Sequence, residues 1–116
     1  MKKLVLKCGA ATGAAILMVA AAPAMAAVDA TSAMMLAMGN SCMGCHAIDR
    51  KMVGPSFQDI AKKYKGDATA EDKLATKVIK GGAGVWGMVP MPSHPGLSQA
   101  DAHTIVQWVL EGAPNK

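Results

Sequence analysis

Aromatic side chains are scarce in this chain: Phe57, Tyr64, Trp86 and Trp108 are all it has among 116 residues. So few leave no row of rings on which nucleic-acid bases could stack. Cysteine is scarcer still, at Cys8, Cys42 and Cys45, which excludes a disulfide-rich framework. No stretch alternates apolar and polar residues as a half-buried strand would. The one long hydrophobic run, residues 8–22, is too short to span a bilayer comfortably, which takes about 20 residues.

That run belongs to a leader. Lys2, Lys3 and Lys7 precede it, and Ala24-Met25-Ala26 follows as a small-x-small cleavage site. The three parts read as a secretory signal peptide over residues 1–26, cut after Ala26. Cys8 would leave with it. Lys7 stands where a lipoprotein signal needs a small residue, so lipid attachment at Cys8 is not expected. Residues 27–116 are then one exported domain with no membrane anchor, placed in the periplasm. Three of the twelve basic residues lie in the leader, leaving nine against eight acidic ones. The net charge of +4 for the whole chain thus falls to near +1, which gives no support to nucleic-acid binding.

Every long pattern in the domain is helical. A first helix is expected over residues 31–39, capped by Asp29, Thr31 or Ser32, with Met34, Met35, Leu36 and Met38 as its apolar side. A second is expected over 56–65, where Phe57, Ile60, Ala61 and Tyr64 recur at helical spacing. A third covers 69–80, with Thr69 and Asp72 resembling a capping box and Leu74, Val78 and Ile79 facing inward. A fourth covers 98–111, with Ile105, Trp108 and Val109 buried. Between the last two, residues 81–97 hold five glycines and three prolines. A loop of that length in so small a domain is usually functional.

The chemistry sits in Cys42-Met43-Gly44-Cys45-His46. A Cys-x-x-Cys-His run reads as a c-type haem attachment site. Each thiol can bond to one vinyl group, and His46 then lies under the iron. A thioredoxin-like redox pair would need a βαβ setting, and a zinc site would need two more ligands at paired spacing. His94 and His103 show no such spacing.

The second axial position has many candidates, because the chain is rich in methionine. Met34, Met35 and Met38 lie at helical spacing and read as core filler. Met43 lies between the two cysteines and cannot reach the far face. Met91 stands in Pro90-Met91-Pro92, where two prolines restrain the backbone on either side. It is favoured over Met88, its nearest rival in the same loop. With His46 and a methionine both bound, no site at the iron is left for substrate, oxygen or peroxide.

Taken together the domain resembles a short bacterial class I cytochrome c. The resemblance is carried by Cys42-Met43-Gly44-Cys45-His46-Ala47-Ile48-Asp49, Lys51-Met52-Val53-Gly54-Pro55, Gly84-Val85-Trp86-Gly87, Pro90-Met91-Pro92 and Gln107-Trp108-Val109-Leu110. It implies an all-α fold of four to five helices around one covalent haem c. It implies thioethers at Cys42 and Cys45, with His46 as proximal and Met91 as distal ligand. It further implies a proximal hydrogen bond to the carbonyl of Pro55, and contacts from Trp86 and Lys77 to a haem propionate. The implied role is a monomeric, non-enzymatic periplasmic electron carrier in a respiratory chain. Its donor would be a bc-type complex, and its acceptor a nitrite reductase, terminal oxidase or di-haem peroxidase.

Four positions depart from the pattern. Ala37 replaces a Phe, Lys77 an Arg, His94 an Asn that would contact the methionine ligand, and Met88 a Pro. Met43, Gly44, Met52, Val53, Met88, Val89 and Pro90 are the candidate docking patch. For the basic residues between Arg50 and Lys80, a solvated face is the plainer reading. An open-iron enzyme or gas sensor, and a bound subunit of a larger oxidase, are the rival functions.

Overall fold

The computed structural model describes residues 9–19 and 28–116. Lys2, Lys3, Lys7, Cys8 and the Ala24-Met25-Ala26 site lie outside the described residues. Residues 9–19 form no regular element. The domain holds four helices: α1 at Ala30–Gly39, α2 at Phe57–Lys63, α3 at Ala70–Lys80 and α4 at Gln99–Leu110. A single 3-10 turn, Cys42–Gly44, follows α1. No strand occurs among the described residues; one isolated antiparallel bridge joins Gly82 to Met91.

The helix starts follow local side-chain chemistry. Asp29 accepts from the Thr31 N–H, Ser56 from the Asp59 N–H and Ser98 from the Asp101 N–H, each satisfying an amide that the first turn leaves free. At α3 the expected Thr69–Asp72 box does not form, because Thr69 makes no side-chain cap. Asp67 outcompetes it: its Oδ1 accepts from both the Thr69 N–H at 2.9 Å and the Thr69 hydroxyl at 2.7 Å. The same carboxylate is pushed below its ordinary pKa by those bonds and by Lys73. Helix α2 is shorter than its apolar periodicity suggests. It stops at Lys63, and Gly66 turns left-handed at φ 80°.

Helix α4 is the hub, in contact with α1, α2 and α3. Its Trp108 is fully buried, and the indole N–H donates to the Pro114 carbonyl at 2.8 Å. Against it α1 presents Ala30, Ala33 and Ala37, all buried, with Met34 and Leu36 of the expected apolar side packed partly buried beside them. Met35 and Met38 are 68% and 61% exposed. Small side chains let the two backbones approach closely, which turns the bulky ones outward. Helix α3 similarly buries Ala75, while Leu74, Val78 and Ile79 are half-buried. A second tie between α3 and α4 is polar: Glu71 Oε1 lies 2.9 Å from His103 Nδ1 and accepts from Gln107 Nε2 at 2.9 Å.

Candidate haem site

Three local devices fold the cysteine motif. Asn40 ends α1 by donating from its side chain to the Leu36 carbonyl at 2.8 Å. Ser41 then reverses the chain with φ 61°, and the 3-10 turn follows. The Cys42 carbonyl accepts from both the Cys45 and His46 amides, at 3.2 and 3.0 Å. No disulfide joins Cys42 to Cys45, and burial pushes the Cys42 thiol above its ordinary pKa.

The loop that follows is folded back onto this turn. Gly54 N–H donates to the Cys45 carbonyl at 2.8 Å, and Phe57 N–H to the Ala47 carbonyl at 2.9 Å. These bonds set the Pro55 carbonyl beside His46, 2.7 Å from its Nδ1. Donation from Nδ1 assigns the tautomer and leaves the Nε2 lone pair free, as a metal ligand requires. The buried ring also stacks on Phe57, centroids 5.2 Å apart at 21°, and Phe57 meets Trp108 edge-on at 5.4 Å. A file of rings thus runs from the last turn of α4 to His46. Gly54 makes this possible: a Cβ there would lie 2.6 Å from His46 Cε1.

The far wall comes from α3 and the 81–97 loop. Gly81 ends α3 at φ 71°, and a Cβ on it would run into the Met91 carbonyl. Gly82 and Met91 exchange two backbone hydrogen bonds, at 3.0 and 2.8 Å. Beyond Met91, the His94 amide donates to the Ile79 carbonyl at 3.0 Å, and its Nδ1 lies 3.2 Å from the Val78 carbonyl. His94 therefore pins the loop to α3, with its ring on that helix end. Met91 is held from both sides, by Gly82 before it and His94 after it. The Lys77 ammonium lies beside Gly82, 3.0 Å from where a Cβ would stand.

These walls enclose one cavity of about 630 Å³, within the usual range of about 300–1,000 Å³ for ligand pockets. Cys42, Cys45, His46, Pro55, Lys77, Trp86 and Met91 all line it. Every candidate site residue is brought to a single place, though the residues span half the domain in sequence. The residues present suit a haem: two thiols and an oriented imidazole on one wall, a thioether on the loop wall. Lys77 and Trp86 add donors for carboxylates, and Phe57, Ile105, Val106 and Val109 add apolar floor. Sequence reasoning missed Gly54 and Gly82 as functional. The signal was present in Gly54-Pro55 and Gly81-Gly82, small residues next to backbone that must come close. Among the described residues, no group of three or more His, Cys, Asp or Glu is placed to hold a metal.

The family model for cytochrome c matches residues 32–113. Cytochrome c-551 of Allochromatium vinosum is 43% identical over 84 residues, 72% of this chain and 89% of that protein. Cytochrome c-551 of Azotobacter vinelandii is 52% identical over 69 residues, 60% of this chain and 83% of that one. The crystal structure of wild-type Nitrosomonas europaea cytochrome c552 superposes with a TM-score of 0.66 at 42% identity, covering 68% of this chain and 98% of that one. The family carries covalently attached haem c, and Cys42, Cys45 and His46 fit its attachment motif. The chain belongs to the cytochrome c family, and its likeness is to the small class I electron carriers of bacteria.

Proposed function

We propose that this chain is a monomeric periplasmic one-electron carrier, not an enzyme, running between respiratory-chain donors and a terminal reductase or oxidase. Bound haem c supplies the Fe(II)/Fe(III) couple. The observation that carries this reading is that His46 and Met91 line one cavity from two separately anchored segments. Two such ligands would fill both axial positions, and Met with His ligation favours a raised potential.

The remaining residues take supporting roles in the proposal. Cys42 and Cys45 tether the group. The Pro55 carbonyl fixes the His46 ring and raises its basicity. Trp86 and Lys77 donate to a propionate, Lys77 as a point charge and not a fork. No residue is required to move a proton. Val53, Met88 and Val89 are exposed and also line the cavity's edge. With Met52 they make a small apolar rim on which a redox partner, such as a bc-type complex, nitrite reductase, terminal oxidase or di-haem peroxidase, can settle briefly and leave. Export of residues 27–116 after cleavage of the leader supplies the compartment. No helix among the described residues is long and apolar enough to cross a membrane.

Carbon monoxide tests the proposal. The reduced, haem-loaded protein is expected to keep its absorption spectrum under the gas. A spectrum that shifts would mean an open iron, and a sensor or enzyme would replace the carrier.

A further inference from the structure

Trp86 rides on a loop with few fastenings. Residues 82–90 are all exposed, and the hydrogen bond from the Gly84 amide to the Gly87 carbonyl, 2.8 Å, only closes a turn within them. Gly84 and Gly87 both hold positive φ, 111° and 117°, conformations that cost a glycine little and leave the loop free to choose others. Among the described residues no group accepts from the Trp86 indole N–H. One cross-element contact does reach this side chain. Lys63 Nζ, at the last residue of α2, lies 5.4 Å from the centroid of the Trp86 ring. An ammonium within about 6 Å of an indole face is attracted by the ring's negative π cloud. Lys63 itself has no carboxylate partner among the described residues, unlike Lys73, which pairs with Asp67. It does not line the cavity, whereas Trp86 does. The lysine therefore sits on the outside of a ring whose other side borders the haem pocket.

We infer that Lys63 is a positioning residue: it clasps Trp86 from α2 and keeps the indole N–H aimed at a haem carboxylate. The inference rests on the reading of Trp86 as a propionate donor. Its chemistry separates Lys63 from Lys77. Lys77 lines the pocket and can meet a carboxylate directly, and Lys63 acts through an aromatic face. Lysine at 63 thus couples the end of α2 to a loop that is otherwise held at its base by the Gly82–Met91 bridge.

The test is hydrogen exchange at the two indole N–H groups of the reduced, haem-loaded protein, read by NMR. Trp108, buried and bonded to Pro114, is the internal reference. In the wild type, Trp86 is expected to exchange more slowly than an unprotected indole. Lys63→Gln should speed Trp86 exchange by roughly two- to fivefold, the factor that a surface cation–π contact is worth. Lys63→Arg should restore it, Lys65→Gln should leave it unchanged, and Trp108 should not move in any variant. A protected Trp86 that Lys63→Gln leaves as protected as Lys65→Gln does would overturn the clasp and spare the donor reading. Equal acceleration at Trp86 and Trp108 would also overturn it, as general loosening. A wild-type Trp86 that exchanges as freely as an unprotected indole would sink the donor reading, and the clasp with it.

Discussion

Gly54→Ala sets two ordinary expectations against each other. An alanine placed where glycine has no positive φ usually stabilises a protein, by about 0.4–1 kcal/mol, through the unfolded chain. At position 54 the added methyl would stand 2.6 Å from His46 Cε1, 3.0 Å from Nδ1 and 3.2 Å from Nε2. Contact between carbon atoms is comfortable at roughly 3.5–4.0 Å, so the ring or the loop must give by about 1 Å. The ring cannot retreat freely, because Phe57 is stacked on it and Trp108 backs Phe57. Overpacking of this kind costs about 1–3 kcal/mol. Displacing Nδ1 from the Pro55 carbonyl adds the net worth of one hydrogen bond, about 0.5–1.5 kcal/mol. The balance is a loss of about 0.5–4 kcal/mol, which for a domain of this size lowers the melting midpoint by some 4–8 °C per kcal/mol. The assay is thermal unfolding of the haem-loaded protein, with Gly39→Ala as control. Gly39 closes α1 with nothing within 4 Å of its Cβ position, so alanine there should be neutral or stabilising. A Gly54→Ala protein as stable as the Gly39→Ala control would refute the packing of His46 described above.

Other expectations concern the caps, the acid limit and the core. Ser98→Ala removes the acceptor for the Asp101 amide and should cost about 0.5–2 kcal/mol in urea unfolding. Asp67 titrates below its ordinary value of 3.8 because the Thr69 hydroxyl and amide, then Lys73, bond its ionised form. The stability it contributes is present above pH 3.8 and is lost as pH falls through the lower folded value. Asp67→Asn should thus be less stable than wild type near neutrality, with the gap in melting midpoint closing in acid. Trp108→Phe leaves the carbonyl of half-buried Pro114 without its donor and a void where the fully buried indole stood. It should destabilise by about 1–3 kcal/mol in denaturant titration.

The sequence revealed most where chemistry dictates residue type. Thioether attachment needs two thiols and an adjacent imidazole, so Cys42, Cys45 and His46 could be read directly, and paired prolines singled out Met91. Helix positions followed from apolar spacing and, for α1, from Asp29. What escaped was decided by neighbours distant in sequence or by competition between near ones. Which face of α1 is buried depends on how closely α4 approaches, so the alanines went inside and Met35 and Met38 outside. Thr69 looked like a cap until Asp67, two residues earlier, took its hydroxyl. The Gly82–Met91 pairing and the Lys63–Trp86 contact join segments that no local periodicity connects.

The central claim is that Met91, and not Met88, occupies the second axial position opposite His46. Met88 is 94% exposed, while Met91 is held by Gly82 and the His94 anchor. The most direct measurement is the absorption spectrum of the oxidised, haem-loaded wild type beside Met91→Ala and Met88→Ala. The account predicts the weak far-red band of a methionine–iron bond in wild type and Met88→Ala, and its loss in Met91→Ala. A band that survives Met91→Ala, or disappears with Met88→Ala, would contradict it.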